Sequence, residues 1–273
     1  MKKFVLFIVV IALIAQSCKK DEETPSTPAP TAYQITSSDI GGAGDEFKIV
    51  QYTLLPADTF TVGATGQTLV WVYNPIPIST EVDTVTFTLP SAHPDGAFFT
   101  GSNLCLNNHE TDEMYMFLDK QSDKVDITGI WVAINGDTLK GNLSDRYTVL
   151  KFPMTYGASY SDSGFVSILT EMDYQGQMVP AKYEITFKIN SSCNAEGNIT
   201  TPLGTFKCVR EKRTEINLFN VKIQMYSQWI EAYNQADTSY HYSFWTKEKK
   251  WNVAELDVDI TDKIITLGHL TEL

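Results

Sequence analysis

Apolar and polar residues alternate with a period of two in segment after segment of this chain, and nothing else constrains its fold as strongly. In 182–189, Tyr183, Ile185, Phe187 and Ile189 alternate with Lys182, Glu184, Thr186 and Lys188. In 84–89, Val85, Phe87 and Leu89 alternate with threonines, and Phe219, Val221, Ile223 and Met225 repeat the pattern. Leu256, Val258 and Ile260 enclose Asp257 and Asp259 in the same way. Successive side chains of a strand point to opposite faces, so this spacing sets one face on a core and the other in water. Further strands are expected at 47–55, 68–73, 113–118, 147–152, 164–172 and 239–246. Asn135-Gly136-Asp137 reads as a tight hairpin turn, and Thr201-Pro202-Leu203-Gly204 as another joining 197–200 to 205–210. Helical spacing is confined to Trp229, Ile230 and Tyr233 within 227–236, which predicts one short helical turn. The expected fold is all-β: an antiparallel curved sheet, a sandwich or a half-open barrel. It spans 33–273 as one body, since no linker composition marks a subdivision near Ser144.

Residues 1–32 read differently. Lys2 and Lys3 precede the twelve apolar residues 4–15, and Gln16-Ser17-Cys18 comes next. That length suits a signal-peptide hydrophobic region and falls short of the roughly 20 residues a membrane-spanning helix needs. Ser17 before Cys18 resembles a bacterial lipobox, where signal peptidase cuts and the cysteine becomes N-terminal, although Ala15 stands where Leu is usual. The competing reading is an ordinary secretory signal with a coincidental cysteine. The residues after Cys18 favour the lipoprotein: Lys19, Lys20, Asp21, Glu22 and Glu23, then a Pro/Thr/Ser-rich run to residue 32. Such a run has no apolar surface to bury and is expected to be a stiff, solvated tether. Diacyl and amide-linked chains such as palmitate on Cys18 would supply the multiple anchors that stable attachment requires. The basic-then-acidic run resembles the Bacteroidota signal that routes lipoproteins to the outer face of the outer membrane, against the alternative of a merely polar linker. The expectation is a signal peptide at 1–17, a lipidated cysteine and tether at 18–32, and a body facing the cell exterior.

Acidic residues outnumber basic ones, 33 to 21, which argues against a nucleic-acid partner needing a clustered positive surface. Loss of Lys2 and Lys3 with the signal takes the formal charge from -12 to -14. Anionic headgroups would repel such a body, so the lipid is read as the membrane contact. Hydrophobic residues at 43% exclude wholesale disorder, and four cysteines are too few for a disulfide scaffold.

Phe152-Pro153-Met154-Thr155-Tyr156-Gly157 followed by Tyr160-Ser161-Asp162 resembles an uncharacterised family of β-rich secreted proteins of the Bacteroidota. The resemblance continues in Gly197, Thr201-Pro202-Leu203-Gly204-Thr205-Phe206 and Val209-Arg210, and more loosely in Tyr242-Ser243-Phe244-Trp245 and the segments 36–44 and 66–71. Many relatives look like type IX secretion cargo with a C-terminal sorting domain. For this chain, read to Leu273, the expectation is a lipobox in place of such a domain. The resemblance implies a β-rich fold and an envelope location, and it brings no catalytic residues.

No Gly-x-Ser-x-Gly elbow, phosphate-binding glycine loop or His-Glu-x-x-His motif occurs. Ser159 sits among residue types that serine hydrolases use, but nothing fixes a histidine beside it, and a polar turn or strand-edge role is expected. His93, His109, His241 and His269 are scattered. Cys105 and His109, with Glu110, Asp112 and Glu113 nearby, form the nearest approach to a metal half-site. No matching second pair is visible and the calcium-loop spacing is missing, so a solvated loop is expected there. No catalytic residue, metal or cofactor is assigned. Of Cys105, Cys193 and Cys208, no disulfide is assigned either: a hairpin about Leu203 sets Gly197 or Asn198, not Cys193, opposite Cys208. On the strand at 239–246, Tyr240, Tyr242 and Phe244 share one face while His241, Ser243 and Trp245 share the other. If that second face is open, Trp245 with Trp251 could stack on a sugar ring or apolar ligand; aromatic packing on both faces is the simpler expectation.

These features lead to a non-enzymatic lipoprotein with a binding or envelope-interaction role, its partner a glycan, protein or apolar ligand. The alternatives are a periplasm-facing carrier of a lipid or other apolar ligand, and a hydrolase of envelope polysaccharide with dispersed carboxylates.

Overall fold

A computed structural model of the protein describes residues 32–52, 61–73, 80–108, 114–134 and 137–272. Its strands are β1 (Gln34–Ile35), β2 (Glu46–Tyr52), β3 (Gly66–Val72), β4 (Thr80–Thr88), β5 (Leu104–Asn108) and β6 (Met114–Lys120). They continue with β7 (Lys124–Ile134), β8 (Asp137–Lys151), β9 (Met154–Thr155), β10 (Ser159–Tyr174) and β11 (Gln177–Thr201). The chain closes with β12 (Gly204–Met225), β13 (Gln228–Trp245), β14 (Asn252–Val258) and β15 (Ile264–Glu272). One sheet carries 13 of them in the order β10-β8-β7-β6-β5-β4-β2-β15-β14-β13-β12-β11-β3. β10 also pairs along its whole length with β11, from Ser159↔Ser192 to Tyr174↔Gln177, so the sheet curls back toward its own end. Neighbours are antiparallel apart from β3, which lies parallel to β11. The all-β, curved antiparallel expectation holds.

The period-two pattern sorts side chains into cores on both sides of the sheet. Val85, Phe87, Leu104, Leu106, Leu118 and Ile127 face inward with Val166, Ile168 and Ile189. Residues of the opposite phase fill two smaller outer cores. Cys105 and Phe117 pack against Phe99, from the excursion between β4 and β5. Ala195, Cys208, Tyr242, Phe244, Ala254 and Leu256 pack against Val62, Trp71 and Tyr73, so β3 and the segment before it cap this part of the sheet. The close approach of β3 requires Gly197, where a Cβ would lie 2.1 Å from the Leu69 carbonyl oxygen.

Several boundaries differ from the expectation. Residues 227–236 are not helical: β13 runs unbroken from Gln228 to Trp245. The register jumps from Lys222↔Glu231 to Val221↔Tyr233, leaving Ala232 as a bulge. That extra residue returns Tyr233 to the face of Ile230, which imitates the i, i+3 spacing of a helix. β14 ends at Val258. Asp259 Oδ1 accepts from the Thr261 and Lys263 amides at 2.8 and 3.0 Å, turning the chain and leaving Ile260 78% exposed. The Thr201–Gly204 hairpin forms as expected, with Thr201↔Gly204 as its closing pair. β7 and β8 pair as far as Ile134↔Asp137, and the turn residues 135–136 lie outside the described residues. The same holds for 53–55 of the second strand and for His109, Glu110, Asp112 and Glu113. β8 runs straight through Ser144.

Candidate functional site: a buried charged layer

Pairing aligns the inner-facing residues of adjacent strands into rows. Tyr160, Ser191, Arg213, His241 and Asp257 form one row across β10 to β14. Cys193, Glu211, Ser243 and Glu255 form the next. Each row therefore crosses the sheet with polar or charged groups on a face that is otherwise core.

Glu211 is the anchor, with no solvent exposure. It accepts from the Ser191 hydroxyl, from Trp245 Nε1 at 2.9 Å and from Arg213 Nη2 at 3.1 Å. Arg213 also reaches Glu215 through Nη1 at 3.2 Å and the Val149 carbonyl through Nη2 at 3.0 Å. Tyr160 donates to the same carbonyl at 2.7 Å. Burial alone would lower the pKa of Arg213, but Glu211 and Glu215 hold it above its ordinary value. Burial and the Glu211 charge push the Tyr160 phenol far up.

The layer continues onto β13 and β14. His241 Nδ1 lies 2.6 Å from Asp257 Oδ1. Ser243 Oγ and Asn252 Nδ2 each donate to Glu255 Oε2 at 2.8 Å. Burial would lower the His241 pKa, yet the bond to Asp257 and the charges of Glu255, Asp257 and Glu215 raise it above 6.5. Hydrogen-bond donors, carboxylates and one imidazole thus converge in a partly dehydrated place, where charge interactions are stronger than in water.

Trp245 belongs to this layer as a buried donor, 2% exposed, with its ring 5.4 Å edge-on from Trp251. Trp251 in turn stacks 6.0 Å from Phe47. Aromatic packing on both faces is therefore what forms, and the open platform for a sugar is corrected: Trp245 is enclosed by its neighbours. Ser159 sits exposed at the start of β10 on the rim of a cavity of about 260 Å³ lined also by Ser161, Asn190, Ser192, Lys212 and Thr214. That is below the ~300–1,000 Å³ of a typical small-molecule pocket. Cys105, Cys193 and Cys208 are buried free thiols. Cys193 faces the inner layer and Cys208 the outer core, and burial raises their pKa values to about 12.

The sequence placed His241 and Ser243 on one face and spaced Asp257 correctly, but did not join them. The missing signal was register: the strands holding residues 241 and 257 had to be recognised as neighbours across a short connection.

No family model and no curated protein matches the chain. Among solved structures it is similar to a protein from Bacteroides fragilis NCTC 9343 described as exported and having a YmcC-like fold. Identity is 10%, the match covers 89% of this chain and 100% of that one, and the TM-score is 0.34. A likeness of that size carries no functional argument.

Proposed function

We propose that the protein is an envelope lipoprotein held to the outer membrane through Cys18, facing the cell exterior, with a non-enzymatic binding role. The observation that carries the proposal is the order of elements over 1–32: Lys2 and Lys3, an apolar run, Cys18, the run Lys19 to Glu23, and a Pro/Thr/Ser-rich tether. The far end of the β10–β13 ribbon supports a binding role. Tyr226 is 94% exposed there and, with Ser227, forms the β12–β13 turn at φ 51° and 64°. Those dihedrals favour Gly or Asn, so a large aromatic residue carries a conformational cost at this turn. Met178, Trp229, Ile230 and Tyr233 are exposed nearby on the same hairpins. Met178 and Trp229 share one face of the ribbon end, Ile230 and Tyr233 the other, and large apolar side chains held in water favour contact with a partner.

Protease shaving of intact cells tests the address, comparing the native chain with one whose Lys19, Lys20, Asp21, Glu22 and Glu23 are alanines. With a periplasmic marker intact, cleavage of the native chain and protection of the variant is the expected result. Protection of both would put the body in the periplasm and bring the apolar-ligand carrier forward.

A further inference from the structure

We infer that the open edge of β13 over residues 233–239 receives the same edge of a second copy of this chain, antiparallel and about a two-fold axis at Ala236. The inference deepens the binding role proposed for the β10–β13 ribbon and rests on that role, not on the anchor. β12 pairs with β13 along its length, but β14 takes the other side only from Tyr240, opposite Val258, to Trp245. Among the described residues no strand pairs with that side between Gln228 and Ser239, and Gln228 to Thr238 are all exposed. The bulge at Ala232 bends the strand just before this stretch, so the regular open edge runs from Tyr233 to Ser239. Natural edges are guarded against strand addition by lysine, proline or bulges. Tyr233-Asn234-Gln235-Ala236-Asp237-Thr238-Ser239 has none of these, and Asp237 is its one charge.

The side chains select a second copy as the occupant. Turning the edge on itself about Ala236 opposes Tyr233 to Ser239, Asn234 to Thr238 and Gln235 to Asp237 of the other copy. Residues opposed in an antiparallel pair point to the same face and interact. Each of these pairs joins hydrogen-bonding groups, no like charges oppose one another, and the smallest side chain lies on the axis. The Tyr233 hydroxyl donates to Gln235 Oε1, which leaves Gln235 Nε2 to donate to the Asp237 carboxylate across the axis. Two-fold symmetry makes every such contact twice. The lengths match as well. The bulge ends the edge on one side and the Tyr240↔Val258 pair ends it on the other, so the open stretch of one copy fills that of its mate. The turn after Val258, with Ile260 78% exposed, then lies beside Tyr233 of the other copy, itself 49% exposed.

The test crosslinks the full chain in intact cells with a mild oxidant. Ala236→Cys sets one thiol from each copy on the axis, with Cα atoms about 4.5–5.5 Å apart and within disulfide reach, so a linked dimer is expected. Asn234→Cys alone leaves its two thiols about 13 Å apart along the strands and should crosslink at least about tenfold less. Combining it with Thr238→Cys should restore the dimer. Purified in detergent, the native chain should sediment as a dimer, and Ala236→Lys, which puts like charges on the axis, as a monomer of unchanged circular dichroism. Equal crosslinking from positions 234 and 236, or a dimer that survives Ala236→Lys, would overturn the edge pairing. A crosslink of the Ala236→Cys chain to a different protein would overturn the second copy and keep the binding role of the ribbon. A monomer with no crosslink would remove both, and neither result alters the address read by shaving.

Discussion

Arg210 and Arg213 stand three residues apart on β12, the first fully buried and the second with its side chain 16% exposed, and they solve the same problem in opposite ways. Arg210 projects into the outer core between the rings of Trp71 and Tyr242, 5.3 and 5.1 Å from their centroids. It donates to backbone carbonyls of Val62 and Ala64 and to Asn194 Oδ1, the last supplied by the bulge that shifts register between Cys193 and Ala195. Burial lowers its pKa, with Tyr242 and Tyr73 opposing. Arg213 projects inward and is neutralised by Glu211 and Glu215, which raise its pKa. The outer arginine works as a clasp, tying a covering segment to the sheet through dipoles and aromatic faces. The inner one is the cationic centre between two carboxylates, Glu211 and Glu215. Alternation along one strand thus gives the sheet one face with an arginine clasp and another with a charged, hydrogen-bonded layer.

Replacing both arginines by methionine should break this symmetry most visibly. Arg213→Met strands two carboxylates and is expected to cost ~3–5 kcal/mol in urea unfolding. Arg210→Met leaves carbonyls without their donor but suits an apolar face, and should cost ~1–3 kcal/mol. Equal costs would remove the distinction. Gly197→Ala should fall in the same ~1–3 kcal/mol range by forcing the β3 backbone away, and faster amide exchange confined to β3 and its neighbours would show it. The inner face should also respond to pH. Since Asp257, Glu255 and Glu215 raise the His241 pKa, its contribution is full below the ordinary 6.5 and is lost as pH rises through the folded value. Unfolding measured from about pH 6 to about pH 9 should show that decline, and His241→Gln should flatten it. Smallest of all, Lys212→Gln removes a partly exposed 2.8 Å pair with Asp262 on the outer face and should change stability by ~0–1 kcal/mol after solvent screening.

The fold was legible where alternation was strict. Lys182 to Ile189 and Phe219 to Met225 lie paired in β11 and β12, since each side chain's face follows from its position along the strand. The Ala232 bulge defeated the same rule, because one inserted residue converts a period of two into an apparent period near that of a helix. The charged layer was only half legible. The face shared by His241 and Ser243 could be read within one strand. Its partners Glu211, Arg213, Glu255 and Asp257 come from two other strands, and cross-strand register is set by turns and bulges rather than by local pattern. Arg210 gave no local signal at all: its carbonyl partners lie some 146 and 148 residues away.

The most direct test of the two-faced sheet is a pair of double-mutant cycles by urea unfolding, one for Glu211 and Arg213 with Glu211→Gln and Arg213→Met, the other for Lys212 and Asp262 with Lys212→Gln and Asp262→Asn. The inner pair should couple by ~2–3 kcal/mol and the outer by less than ~1 kcal/mol. An inner coupling no larger than the outer one would contradict the charged layer as the organising feature of this protein.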